Sequence, residues 1–418
     1  MSIQVTTLSN GLRVATDTMP HVETVSLGAW VAAGTRNERP EVNGVAHLLE
    51  HMVFKGTARR SAQAIAEEVE AVGGQINAYT ARENTAYYCK VLKDDAPLAV
   101  DIVADILQHS KFDPDELARE RTVVLQEIGQ ANDTPDDIVF DHFQATAFAD
   151  QGVGRPVLGT AEIVGRMPRE ALTGYLADHY SGDRMVLAAA GNIAHERAVE
   201  MAEAAFSHLP APKPHKLDPL RYTGGDFRED RDLDQLHLVF GFEALSYHDP
   251  DYYAMQVLST ALGGGMSSRL FQEVREKRGL VYSIYSYTSA YVDGGLFAVY
   301  AGTGPESAGE LVPVVCDEVC RIAEDAGEAE VARARAQLRA GTLMSLESSM
   351  SRCENLAQHM LIFDRPVPVE EIVAKIDAVD AAAVRRAALR LRAKPPTVAA
   401  LGPVEGLESY DRIAARLA

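Results

Sequence analysis

Residues 42–54 read VNGVAHLLEHMVF, and the spacing of their apolar positions predicts a short helix. On such a helix His47 and His51 are four residues apart, so both imidazoles can point at one ion. Glu50 follows His47 by three residues and reaches the same side. The order H-x-x-E-H is known from catalytic zinc sites. The same residues can also form an ordinary solvated helix face, and the pentapeptide alone does not choose between the two interpretations.

A catalytic zinc site needs a third protein ligand from elsewhere in the chain. Residues 113–130 read DPDELARERTVVLQEIGQ and predict a helix that begins at Asp-Pro, since proline suits the first helical turn. Glu120 and Glu127 lie seven residues apart on one face of this helix. The helix is rich in apolar residues, which makes a merely solvated carboxylate stripe unusual. Both glutamates are therefore candidates for the third ligand.

The neighbouring segments predict helices and strands with clear ends. Residues 61–72 form a helical pattern that begins at a serine cap and stops before two glycines. Residues 75–92 are rich in β-branched and aromatic types and predict two strands joined near residues 82–84. At the N-terminus, alternating residues flank Asn10-Gly11, which is a strong hairpin signal.

A proline-rich stretch divides the chain into two similar halves. Residues 209–225 contain four prolines, which exclude regular helix. In each half a strand precedes a helix, at residues 25–34 and 42–54 and again at 236–242 and 249–262. We expect an α+β fold of two homologous domains, each a twisted mixed, largely antiparallel sheet packed with helices. The expected boundaries are a zinc-binding catalytic domain at 1–212, a linker at 213–225 and a second domain without metal ligands at 226–418.

Composition excludes some classes of function. The formal net charge is −20, which makes nucleic acid an unexpected partner because phosphate binding requires a basic surface. Solvation of the surface and attraction of a cationic substrate both remain explanations for the acidity. No window is apolar enough for a membrane span, and the first 20 residues do not resemble a secretory signal. Four cysteines without a C-x-x-C pair suggest a reducing cytoplasm.

Three blocks of sequence together resemble the pitrilysin/insulinase family of metallopeptidases. They are HLLEHMVFKGT at 47–57, GGQINAYTARENTAYY at 73–88 and ERTVVLQE at 120–127. The similarity is closest to the branch of mitochondrial processing peptidase β subunits and their small bacterial relatives. It continues into the second half with GGGMSSRLFQEVREKRGLVYS at 263–283, so it covers most of the chain.

The resemblance implies a role for each residue of the centre. It implies that His47, His51 and Glu127 hold one Zn²⁺ per chain. It implies that Glu50 is the general base and that Glu120 supports the site from behind the ligands. It further implies that Arg275 and Tyr282, supplied by the second domain, stabilise the oxyanion. Without the resemblance Arg275 would be assigned as a surface charge.

The resemblance also implies substrate contacts. The strand at 75–79, with Asn77 and Ala78, would hold an extended peptide by strand addition. Phe54 would contact the side chain after the cut bond. Asp137 and Asp141 would hold an arginine before it. The triple glycine at 263–265 follows a helical pattern and lacks the Lys-Ser/Thr of a phosphate loop, so nucleotide binding is rejected.

The expected function is that of a zinc-dependent endopeptidase acting on extended, basic peptides or presequence-like segments. The expected partners are the peptide substrate and a second copy of the chain in a homodimer, with Arg275 and Tyr282 of one chain serving the zinc of the other. One alternative is a non-catalytic scaffold of the respiratory core-protein type. Another is a zinc-storing module. Retention of all four residues of the metal motif favours the peptidase.

Overall fold

The computed structural model describes residues 2–417, which form two compact units. The first unit comprises residues up to Gly129, Arg155–Leu217 and Met344–Val367. The second comprises Gln130–Gly154, Asp218–Leu343 and residues from Pro368 onward. Each unit contains one β-sheet and its own hydrophobic core.

The first unit is built on a six-stranded sheet. Its strands are β1 (Ser2–Thr7), β2 (Arg13–Thr18), β3 (Thr24–Val31), β4 (Gln75–Thr80), β5 (Thr85–Leu92) and β6 (Met185–Gly191). They lie in the order β1-β2-β6-β3-β5-β4. Only β2 and β6 are parallel, and all other neighbours are antiparallel. Strand β4 is therefore an edge strand.

The second unit repeats this sheet with one strand fewer. Its strands are β7 (Gly225–Asp230), β8 (Leu236–Ala244), β9 (Val281–Ala290), β10 (Gly295–Thr303) and β11 (Thr397–Gly402). They lie in the order β7-β11-β8-β10-β9, with β7 and β11 parallel and the rest antiparallel. Strands β7 to β11 thus correspond one by one to β2 to β6. The predicted duplication of a mixed, largely antiparallel α+β unit is confirmed.

Fifteen α-helices are found among the described residues. Those encoded before the proline-rich stretch are α1 (Val45–Val53), α2 (Ala62–Ala71), α3 (Ala96–Gln108), α4 (Pro114–Asn132), α5 (Pro135–Ala147), α6 (Ala161–Gly165), α7 (Arg169–His179) and α8 (His195–Ala205). Those encoded after it are α9 (Tyr252–Gly263), α10 (Ala308–Asp325), α11 (Glu328–Ser345), α12 (Ser349–Phe363), α13 (Val369–Asp377), α14 (Ala381–Leu391) and α15 (Tyr410–Leu417). A separate π-helical turn spans Phe271–Glu276.

Two helices pack against the sheet of the opposite half of the chain. Helix α12 buries Leu356, Ala357 and Met360 against Trp30 and the small residues of β6, and so belongs to the first unit. Helix α5 buries its apolar side against β8 and β11, and so belongs to the second. The boundaries expected from the sequence, 1–212 and 226–418, therefore require correction at these two segments. The physical reason is that each helix buries its apolar face on the sheet encoded by the other half.

The local signals in the sequence agree with the structure. The hairpin of β1 and β2 turns at Gly11, which has a positive φ of 87°. Ser61 caps α2 by accepting a hydrogen bond from the Ala64 amide. The triple glycine lies at the C-terminal end of helix α9, with Gly263 as its last residue and Gly264 as its cap. Within residues 2–417, no helix combines the length and the apolar character needed to cross a bilayer.

Candidate metal centre

A buried glutamate holds the start of α1, the helix that carries the metal motif. The Glu38 carboxylate accepts hydrogen bonds from the amides of Gly44 and Ala46, at 2.9 and 2.8 Å, and from the Asn43 side chain at 2.8 Å. These amides belong to the first turn, where helical partners are lacking. Burial raises the Glu38 pKa to about 7 despite these hydrogen bonds. Glu38 thus fixes the position from which the two histidines project.

The three predicted ligands meet at one point. His47 Nε2 and His51 Nε2 lie 3.7 and 3.6 Å from the same carboxylate oxygen of Glu127. All three donor atoms lie within 4.8 Å of one another. Ligand atoms on a tetrahedral zinc ion are roughly 3.4 Å apart, because each bond is about 2.0–2.1 Å long. Among residues 2–417 no other group of three or more histidine, cysteine or acidic side chains is gathered in this way.

The donor set and its protonation suit zinc. Two imidazoles and one carboxylate are a known ligand set of catalytic zinc sites, which leave a fourth position open. Burial, and next the neighbouring His51, lower the pKa of His47 to about 4, so its imidazole is neutral at pH 7. Neutral imidazole is the form that can bind a metal. His47 Nδ1, on the other side of the ring, is buried without a hydrogen-bond partner among the described residues.

Glu120 orients His51 from behind. Its Oε2 lies 3.0 Å from His51 Nδ1, and its Oε1 lies 2.7 Å from the Lys55 ammonium group. The Glu120 side chain is only 6% exposed, so these two partners satisfy an otherwise buried charge. A proton on His51 Nδ1 that is donated to Glu120 leaves Nε2 free to face Glu127. The structure thus brings the predicted supporting glutamate to the Nδ1 side of His51.

Glu50 lies beside the ligands without taking part in the cluster. Its Oε2 accepts a 2.6 Å hydrogen bond from the Thr80 hydroxyl on β4. Burial is the main cause that raises the Glu50 pKa above its usual value, and Glu127 adds to it. The Thr80 hydrogen bond and His51 act in the opposite direction. A carboxylate with a raised pKa accepts a proton more readily than an ordinary glutamate does, which suits a general base.

The edge strand β4 runs past this cluster. It pairs only with β5, so the backbone groups on its other side are available for a further strand. The Ala78 amide is bonded to the side-chain oxygen of Asn77 at 2.8 Å. Phe54 caps α1 and is half-buried, with its ring centroid 6.4 Å from that of Tyr87. All three predicted substrate contacts of the first unit therefore lie on α1 or on the edge strand.

The other predicted residues lie in the second unit. The Arg275 guanidinium, in the π-helical turn, is 4.8 Å above the ring of Phe271 and 5.2 Å above that of Tyr282. Tyr282 lies on β9 and is 79% exposed. Arg275 has no ion-pair partner among the described residues, and its charge is stabilised by cation–π contacts with these two rings. Asp137 and Asp141 are one turn apart on α5, and burial is the main cause that raises the Asp137 pKa, with Asp141 adding to it.

Three residues of the centre were not identified from the sequence. Glu38 precedes the helix by seven residues, and Lys55 follows His51 by four. Lys55 continues the His47–His51 helical spacing, so its proximity could have been inferred. Thr80 alternates with Ala78 along β4, which places both on one face of the strand. Nothing in the sequence indicated that this face would meet α1.

Two family models match successive parts of the chain. The model of the insulinase family, peptidase family M16, matches residues 13–161. The model of the peptidase M16 inactive domain matches residues 166–338. The first match contains every residue of the metal cluster, and the second contains Arg275 and Tyr282.

Similar proteins span the whole chain. An uncharacterized zinc protease of Streptomyces coelicolor is 39% identical, over 100% of this chain and 92% of the relative. The mitochondrial-processing peptidase subunit beta of Mus musculus is 38% identical, over 99% and 87%. Among solved structures, the peptidase M16 inactive domain from Pseudomonas fluorescens superimposes with a TM-score of 0.91 at 22% identity, over 98% of this chain and 99% of that one. The last match establishes similarity of fold.

The contact between Glu120 and His51 predicts the effect of a substitution on zinc affinity. We expect Glu120→Gln to weaken zinc binding about 10- to 100-fold, because loss of an oriented charge behind a ligand has that effect. His51→Ala should abolish binding. Competition with a chromogenic chelator measures both. Glu116→Gln is the matched control, since Glu116 lies one turn away on α4 and pairs with Arg119. Equal affinities of the Glu120 and Glu116 variants would contradict the assignment.

Proposed function

Because the chain belongs to the insulinase family of peptidases, family M16, we propose that it is a zinc-dependent endopeptidase that cuts extended, basic peptides or presequence-like segments. The observation that carries the proposal is the approach of two imidazole nitrogens to one carboxylate oxygen, with Glu50 immediately beside them. The similarity to relatives named as zinc proteases and as a processing-peptidase subunit supports the metal and the reaction. We propose one zinc ion per chain.

In this mechanism, different residues bind the metal, orient a ligand and transfer the proton. Bound zinc supplies a Lewis acid that polarises a peptide carbonyl and acidifies water. His47, His51 and Glu127 hold the ion, and Glu120 keeps His51 in the required tautomer. Glu50 removes a proton from the attacking water and later passes it to the leaving amine. Thr80 occupies one oxygen of Glu50, and the other oxygen remains available for this proton.

The edge strand provides the means of holding an extended substrate. A peptide can add to β4 as a further antiparallel or parallel strand and form main-chain hydrogen bonds. The side-chain oxygen of Asn77 would then release the Ala78 amide to the incoming backbone. Phe54, half-buried at the end of α1, offers apolar surface to the residue after the cut.

Charge favours basic substrates. The chain carries 60 acidic and 40 basic side chains, which attracts cationic peptides over a distance. Asp137 and Asp141 are one helical turn apart, and their mutual repulsion contributes to the raised Asp137 pKa. An arginine side chain between them would relieve this repulsion. We therefore propose that they bind an arginine before the cut.

We propose a homodimer in which Arg275 and Tyr282 of one chain complete the site of its partner. The Arg275 guanidinium has no ion-pair partner among residues 2–417 and lies over two aromatic rings, and the Tyr282 phenol is exposed; such groups suit the stabilisation of an oxyanion. A cytoplasmic location is also proposed. It is supported by four cysteines that are all free in the structure.

The role of Glu50 predicts a variant that separates metal binding from turnover. Glu50→Gln should keep its zinc but lose at least about 100-fold in kcat, the lower end of general acid–base contributions. Atomic absorption and cleavage of a quenched fluorescent peptide measure the two properties. Wild-type turnover by the variant contradicts the mechanism. A wild-type chain that binds zinc but cleaves no member of a peptide library indicates zinc storage, and one that does neither indicates a scaffold.

The pair on α5 predicts a change in substrate preference. Asp141→Asn should lower kcat/KM for arginine-containing peptides more than for neutral peptides of the same length, because it removes a charge that pairs with the guanidinium. The two peptide series are compared by mass spectrometry. Asp411→Asn is the control for net charge alone, because Asp411 lies in the exposed first turn of α15. An equal loss on both series would refute direct recognition of arginine.

The homodimer predicts complementation between two inactive variants. Glu50→Gln chains and Tyr282→Phe chains should each have little activity alone. After subunit exchange, a mixed dimer contains one site with an intact Glu50 and an intact Tyr282, so activity should return. Exchange is followed independently with differently tagged chains. Exchange without recovered activity would exclude completion in trans, and an active 45.3 kDa species in sedimentation would exclude the dimer.

A further inference from the structure

Neighbouring residues of the edge strand connect its two faces to different helices. Thr80 points toward α1, where its hydroxyl donates to Glu50. Tyr79 points the other way, because successive side chains of a strand alternate. On that face lies α12, the helix encoded more than 260 residues later. The strand therefore connects the base to a helix that is remote in sequence.

The Tyr79 hydroxyl is held by three hydrogen bonds. It donates to Glu354 at 3.1 Å, and it accepts from Gln358 at 3.1 Å and from the indole of Trp30 at 3.3 Å. Gln358 also accepts a hydrogen bond from Asn84, in the turn that joins β4 to β5. An edge strand has a partner on one side only, so such side-chain contacts restrict its movement. Helix α12 thus holds both Tyr79 and the turn beyond it.

Within residues 2–417, the Glu50 carboxylate accepts a hydrogen bond only from the Thr80 hydroxyl. A glutamate has three rotatable side-chain bonds, whereas the β-branched threonine has few rotamers on a strand. A fixed hydroxyl can therefore select one orientation of the carboxylate. A group that transfers a proton must be oriented accurately, because a small misplacement lowers the rate strongly.

We propose that Thr80 is a positioning residue for Glu50, and that α12 fixes it in place through the hydrogen bonds of Tyr79 to Glu354 and Gln358. The inference rests on the proposed function, in which Glu50 is the general base. It adds that an element outside the metal motif, contributed by the second half of the chain, sets the geometry of proton transfer.

The first test removes the Thr80 hydroxyl while preserving its shape. Thr80→Val should lower kcat about 10- to 100-fold, the effect of a displaced catalytic group, with KM and zinc content unchanged. Thr80→Ser restores the hydroxyl and should recover most of the rate. Thr173→Val is the control, because Thr173 bonds only to backbone carbonyls of α7. A Thr80→Val rate equal to that of the control, or a loss confined to KM or zinc, would overturn the proposal.

The second test asks whether Thr80 acts through Glu50. In a Glu50→Gln background, Thr80→Val should produce little further loss, because the group that it positions is already gone. A full additional loss would overturn the proposal. The tests also separate this inference from the proposed function. If Glu50→Gln retains full turnover, the proposed function fails. If Glu50→Gln is inactive while Thr80→Val is normal, only the positioning role fails.

The third test needs no activity. Trp30 is the only tryptophan in the chain and donates to Tyr79, so its fluorescence reports on this network. In the metal-free protein, Tyr79→Phe should move the emission maximum to shorter wavelength, because the buried indole loses its acceptor. Thr80→Val should leave it unchanged. Tyr79→Phe should also lower kcat severalfold once zinc is bound. Shifted emission with a normal kcat would overturn the role of α12.

Discussion

The rest of the metal centre depends on the burial of carboxylates around one short helix. Glu50 lies on α1 and Glu38 and Glu120 lie against it, and each of these largely buried carboxylates accepts a hydrogen bond from another part of the chain or of the helix. A buried carboxylate without partners is costly. The requirement to satisfy these three groups therefore fixes the helix at its first turn, in its middle and at its last turn. The geometry of the histidines is a consequence of these constraints.

The two units share one fold, but equivalent helices and strands carry different functional side chains. Both sheets end in an edge strand that follows an equivalent helix, β4 after α1 and β9 after α9. In the first copy the helix has histidines and the strand carries Thr80. In the second the edge strand carries Tyr282, with Arg275 just before it. The same fold can thus present metal ligands in one unit and a cation with a phenol in the other. This is possible because surface side chains can change without altering the core.

The sequence predicted much of the centre because its signals are local. The spacing of His47, Glu50 and His51 follows from helical periodicity, and the starts of α2 and α4 follow from their capping residues. Glu127 was one of two candidates until the family resemblance distinguished it from Glu120. The contacts of Lys55 with Glu120 and of Thr80 with Glu50 were missed, since these partners are 65 and 30 residues apart and no local pattern indicates which chain segments will meet.

By itself, the sequence determined the duplicated α+β fold, the metal motif on α1 and the two strands at residues 75–92. These depend on periodicity, turn chemistry and the spacing of a few polar residues. Only the tertiary structure decided that α5 and α12 would each cover the sheet encoded by the opposite half, and that α12 would support the strand beside Glu50. The reason is physical. An apolar helix face shows that the helix will be buried, but the hydrophobic effect has no direction and does not specify which sheet will bury it.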